Sequence, residues 1–125
     1  HTLKPAPGST VAVVGLGGIG MSALMATRLF ECARVVAFDV SDEKLRLARE
    51  IGATDVVNSA HVDPVSEGLR LTENRGFDYA VESAGMASTI EQAFALVRRG
   101  GGRCVFASHP EAGAKIQIDP FELIC

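Results

Sequence analysis

Four glycines crowd into Gly15-Leu16-Gly17-Gly18-Ile19-Gly20, immediately after the apolar run Thr10-Val11-Ala12-Val13-Val14. A G-x-G-x-x-G spacing supplies backbone chemistry rather than side-chain chemistry. Gly15 permits a tight turn, Gly17 lets the backbone approach a pyrophosphate, and Gly20 lets a following helix lie close on a sheet. Free N–H groups at the start of that helix then face phosphate oxygens, with the positive end of the helix dipole behind them. In a glycine-rich chain the hexapeptide alone also fits a generic turn. The strand-like run before it and the apolar segment after it favour phosphate.

Asp39 is the second chemical element, nineteen residues past Gly20 at the end of the run Arg34-Val35-Val36-Ala37-Phe38-Asp39. A carboxylate at this distance accepts hydrogen bonds from the hydroxyls of an adenosine ribose. A ribose 2′-phosphate would meet a like charge there, at about 4 kcal/mol for unit charges 4 Å apart in an effective dielectric of 20. NAD is therefore expected in preference to NADP, and no Arg follows Asp39 to receive the extra phosphate. The competing reading of Asp39 is an ordinary loop carboxylate. Lys44, one helical turn past Ser41, reaches towards the same ribose or is simply solvated.

The remaining reactive side chains point to no catalytic constellation. His61 and His109 follow strand-like runs and read as surface or loop residues, with a proton relay as the alternative. Asp78 and Glu82 share one face of a strand and read as supporting carboxylates rather than an acid/base pair. Tyr79 is the sole tyrosine and Ser83 stands four residues on, so a Tyr-x-x-x-Lys proton-transfer pair is excluded. Cys32, Cys104 and Cys125 form no C-x-x-C pair, which argues against a disulfide framework or a structural zinc site. No catalytic residue and no metal ligand is predicted.

The elements that must hold these residues alternate between β-branched runs and helical patterns. That rhythm predicts βαβ units, hence an α/β, doubly wound parallel sheet of the Rossmann type. Strands are expected at 10–14, 34–39, 55–58, 77–82 and 103–107. Helix one, 18–30, has no charge before Arg28 and is expected to be buried nearly all round. Ser41 and Gly52 bound the second helix, whose Leu47 and Ile51 lie one turn apart. Asp63-Pro64 opens the third, which ends near 74–76. In the fourth, Met86, Ile90, Ala93, Phe94 and Val97 form a stripe, Ser88 and Glu91 a capping box, and Arg98 and Arg99 the cationic end. Five of the fold's six strands are visible. Loop signals, Ile116-Gln117-Ile118 and Asp119-Pro120 follow, so the domain is expected to be truncated at its C-terminus.

Composition sets the outer limits. The 125 residues are 47% hydrophobic and 22% charged with a net charge of −3, the balance of one cytoplasmic globular domain with no call for nucleic acid or membrane. Residues 1–8 read as a leader or tag-derived segment, and the rest as one nucleotide-binding domain.

Several stretches together resemble the medium-chain, zinc-type alcohol dehydrogenases. They are Pro7-Gly8-Ser9-Thr10-Val11-Ala12-Val13 with the glycine hexapeptide, Leu47 to Asp55, Gly76-Phe77-Asp78-Tyr79-Ala80-Val81-Glu82-Ser83-Ala84-Gly85, and Gly101-Gly102-Arg103. The resemblance implies a coenzyme domain in which Gly18 and Ile19 offer amides to the pyrophosphate and Asp39 and Lys44 hold the ribose. It also implies that the backbone near Ala84 and from Ala107 to His109 lies towards the nicotinamide, although Ser108 stands where the family commonly has Gly. The family's catalytic zinc ligands (a Cys, a His with a neighbouring Glu, and another Cys) and its four-cysteine zinc lobe have no match here. The implied parent is an NAD-dependent oxidoreductase acting on an alcohol or aldehyde and assembled as a homo-oligomer, the zinc belonging to parts outside this chain. Turnover by the chain alone is not expected. The rival reading is a stand-alone nucleotide-sensing regulatory domain of a potassium-transport system, which shares the glycine motif and following acid.

Overall fold

The computed structural model describes residues 8–106. Five strands alternate with four helices: β1 Thr10–Val14, α1 Gly18–Thr27, β2 Arg34–Asp39, α2 Asp42–Ile51, β3 Asp55–Asn58, α3 Pro64–Leu71, β4 Tyr79–Glu82, α4 Ala87–Leu96 and β5 Arg103–Phe106. They form one parallel sheet in the order β3-β2-β1-β4-β5. The predicted Ala107, Ile116–Ile118 and Asp119-Pro120 features lie outside the described residues.

Alternate residues of β1 feed two cores, which explains why the strand is apolar throughout. Val11 and Val13 pack with Leu24 of α1 and Leu45 and Ala48 of α2. Ala12 and Val14 pack on the other face with Phe38, Phe77, Ala93 and Leu96, against which Leu71 of α3 also lies. Helices therefore cover both faces, as in a doubly wound sheet. The chain changes face after β3, since α1 and α2 cover one face and α3 and α4 the other. The strand order runs outward from β1 in both directions, β2 pairing on one side of it and β4 on the other. The carboxyl ends of β1 and β4 thus flank the switch point, where such sheets bind ligands.

Caps fix two of the helices as the sequence predicts. Ser41 Oγ accepts from Lys44 N at 3.2 Å, and Gly52 ends α2 with φ 150°. Asp63 accepts from Val65 N ahead of Pro64.

Other details depart from expectation. Helix α1 stops at Thr27 and buries only Gly20, Leu24 and Thr27; Met25 is 59% exposed, and Leu29 beyond it 81%. Its apolar residues are spread around the axis, and the sheet and α2 cover only part of the circumference. On α2, Leu45 and Ala48 carry the burial, while Leu47 is exposed. Helix α3 ends at Leu71, and Glu73 and Asn74 follow in left-handed conformations. Helix α4 ends at Leu96 because Val97 turns extended and bridges to Phe77, outside the shorter β4. Arg98 then bonds Asp78, so neither Arg98 nor Arg99 belongs to the helix. The capping pair is not Ser88 and Glu91: Met86 is the N-cap, and its N–H donates to Thr89 Oγ1 at 3.3 Å.

Candidate functional site

The β1–α1 turn is built from close backbone approaches. Gly15 takes φ 93° and donates its N–H to Phe38 O at 2.9 Å. Ser83, buried at the end of β4, donates its hydroxyl to Gly15 O at 2.8 Å. A Cβ on Gly20 would strike that same Gly15 carbonyl and lie 2.8 Å from Ser83 Oγ. Gly15 and Gly20 are thus demanded by the protein's own packing.

Gly17 and Gly18 are different. Both are exposed, neither has positive φ, and a Cβ on either would meet nothing within 4 Å. Above them α1 begins without a side-chain cap and with no acidic residue in its first turn. Met21 N reaches Gly17 O, but the N–H groups of Gly18, Ile19 and Gly20 donate to no described atom. By contrast, α2 carries Asp42 and Glu43 in its first turn, and α3 carries Glu67. Only α1 among these three presents a bare positive end, at the switch point. That combination suits a phosphate group approaching the backbone.

Across the turn, Asp39 is half-buried and oriented by three backbone donors. Its Oδ2 accepts from Leu16 N at 2.8 Å, and its Oδ1 from Val40 N at 2.7 Å and Ser41 N at 3.0 Å. The carboxylate therefore ties the glycine turn to the β2–α2 turn, a structural role that spacing alone does not disclose. A carboxylate has about four acceptor positions, so capacity is left for a hydroxyl. Lys44 is exposed, and its ammonium has no described partner.

Glu82 is a supporting carboxylate, as its sequence position suggests, and its partners are what the sequence does not disclose. It is 1% exposed and sits opposite Val14 in register. Its Oε2 accepts from Ala84 N at 2.9 Å, Gly85 N at 2.7 Å and Thr89 Oγ1 at 2.6 Å. Ala84 is exposed beside Gly15, but its N–H is turned inward and is not free for a ligand. Asp78 is at the far end of the strand, where it accepts from Thr10 N and Arg98 Nε, each at 2.9 Å. The two acids thus never meet.

Elsewhere the described residues offer little chemistry. Clefts of about 260 and 430 Å³ open beside Asp78 and Arg98, away from the glycine turn. The second is lined by Arg34, Arg75 and Arg98, which pair with Asp55, Glu73 and Asp78. Burial pushes the Cys32 thiol up, which keeps it protonated and a poor nucleophile. His61 is exposed, and His109 and Ala107 lie outside the described residues. Among the described residues no three His, Cys, Asp or Glu side chains gather to hold a metal, so zinc does not fit here. No described helix is long and apolar enough to cross a membrane.

Comparison with known proteins agrees with this geometry. Residues 18–125 match the family described as zinc-binding dehydrogenase. The S-(hydroxymethyl)glutathione dehydrogenase of Synechocystis sp. is 34% identical, over 99% of this chain and 34% of its own. Benzyl alcohol dehydrogenase from Acinetobacter calcoaceticus superimposes with a TM-score of 0.81 at 31% identity, over 91% of this chain and 31% of its own. A protein described as a zinc-binding dehydrogenase from Sinorhizobium meliloti, solved bound to NADP, gives 0.79 at 35%, over 93% and 34%. The chain therefore spans about a third of the length of these relatives. The regulatory nucleotide-sensing reading finds no support among them. With its glycine turn, doubly wound sheet and family match in agreement, the chain belongs to the zinc-binding dehydrogenases, of the alcohol dehydrogenase type.

Proposed function

We propose that this chain binds NAD(H) as the coenzyme domain of an alcohol or aldehyde oxidoreductase. The observation that carries the reading is the bare start of α1: open space over Gly17 and Gly18, with the N–H groups of Gly18, Ile19 and Gly20 unclaimed. In this reading those amides hold the pyrophosphate, Asp39 accepts from the adenosine ribose, Lys44 reaches the same sugar, and the exposed Ala84 stands beside Gly15 at the switch point. When bound, the nicotinamide supplies the centre that accepts or gives up hydride. The protein's part is to hold the dinucleotide extended across the switch point, with Glu82 and Ser83 keeping the β4–α4 and glycine turns in position. Alcohol oxidation would draw on zinc ligands that the described residues do not provide. Calorimetric titration of the purified chain with NAD tests the reading. Saturable binding that ADP-ribose displaces is expected, and an absence of binding to both would overturn it.

A further inference from the structure

The β2–α2 turn and the end of β3 form a second polar cluster beside the ribose position. Asp39 and Asn58 are register partners on adjacent strands. Asn58 Nδ2 donates to Asp42 Oδ1 at 2.7 Å and to Val40 O at 3.4 Å, while its Oδ1 accepts from Ala60 N at 2.8 Å. Both ends of the amide are engaged, so Asp42 is pinned at the first position of α2. Three of the neighbouring donors are spent: Val40 N and Ser41 N on Asp39, and Lys44 N on Ser41 Oγ. Glu43 adds a further negative charge in the first turn. Lys44 and Arg46 are the cations close by in sequence, and neither forms an ion pair among the described residues.

A 2′-phosphate on a ribose held by Asp39 would need free amides or a cation at this turn. Lys44 is the one cation in the first turn of α2, and Asp39, Asp42 and Glu43 set three carboxylates against it. A relative of the same fold was solved with NADP, so the fold alone does not fix the choice, and the side chains of this turn must.

We propose that Asp42, pinned by Asn58, is a specificity-determining residue that acts with Asp39 to exclude 2′-phosphorylated adenosine. The inference rests on the dinucleotide-binding reading above.

Asp42→Asn tests it in the 125-residue chain, since asparagine keeps an oxygen for Asn58 and removes only the charge. Titration with NAD and NADP is expected to show NADP binding tightened by about tenfold and NAD binding changed by less than about twofold. Asp42→Ala is the second variant, tolerated at an exposed helix start, and it should shift the ratio in the same direction. An unchanged ratio in both variants, or an equal gain for both dinucleotides, would overturn the inference and leave the domain reading intact. If the unaltered chain binds neither dinucleotide, the domain reading falls and this inference with it.

Discussion

Two glycines of one motif answer to different demands, and a single methyl group separates them. At Gly20 the methyl would collide with the carbonyl of Gly15, so Gly20→Ala is expected to destabilise the fold by about 3 kcal/mol. At Gly17 it would meet no protein atom, so Gly17→Ala should change stability by no more than about 1 kcal/mol. It should nevertheless weaken NAD on the order of tenfold, because the methyl stands where the pyrophosphate must come close. Urea melts and NAD titrations of both variants check this; full NAD affinity in a folded Gly17→Ala chain would remove the backbone cradle from the site. Spacing made the glycine turn and the place of Asp39 at the end of β2 legible, since both stand at fixed offsets in this fold. It could not disclose the three N–H groups on Asp39 or the Thr89 hydroxyl on Glu82, which depend on tertiary approach. For that reason Asp39→Ala is a poor probe of ribose binding. It would also release the turn that the carboxylate ties down.

At the scale of elements, legibility followed the number of faces buried. Strands β1 and β2 read plainly because both their faces are covered, which calls for uninterrupted apolar runs. The ends of α2 and the start of α3 read from Ser41, Gly52 and Asp63-Pro64, whose effect on the backbone is local. The end of α4 was hidden because the Phe77–Val97 bridge is a long-range contact, and its start because Thr89 rather than Ser88 turns inward. Helix α1 misled most, since apolar content was read as burial. Its inner and outer residues should therefore behave oppositely. Leu24→Ala is expected to cost about 3 kcal/mol, and Met25→Gln, or Leu29→Gln just beyond the helix, less than about 0.5 kcal/mol. Chemical denaturation of the three variants measures this directly, and a large loss from Met25→Gln would mean the outer face is covered in solution.

For the whole molecule, the sheet order leaves β5 with a single strand neighbour, β4, among the described residues. A parallel strand paired on one side only presents N–H and C=O groups along the other, and these recruit a further strand unless something blunts them. Little on β5 does so: Arg103 is its one charged residue, Cys104 and Phe106 face inward, and Val105 is partly exposed. The two edges of the sheet differ in this respect. On β3, Asp55 is tied to Arg34 by an ion pair at 2.7 Å, and Asn58 is engaged at both ends of its amide. Polar side chains thus flank that strand at both ends, and among the described residues β5 is the edge more open to pairing. The expectation of a homo-oligomer consequently becomes a prediction about one surface. The chain should self-associate through the β5 edge with a concentration dependence visible by light scattering. Val105→Lys, which places a second charge on that edge, should shift the association to higher concentration while leaving the melting temperature nearly unchanged. A chain that scatters as a monomer at every concentration would show instead that the edge is covered within a single molecule.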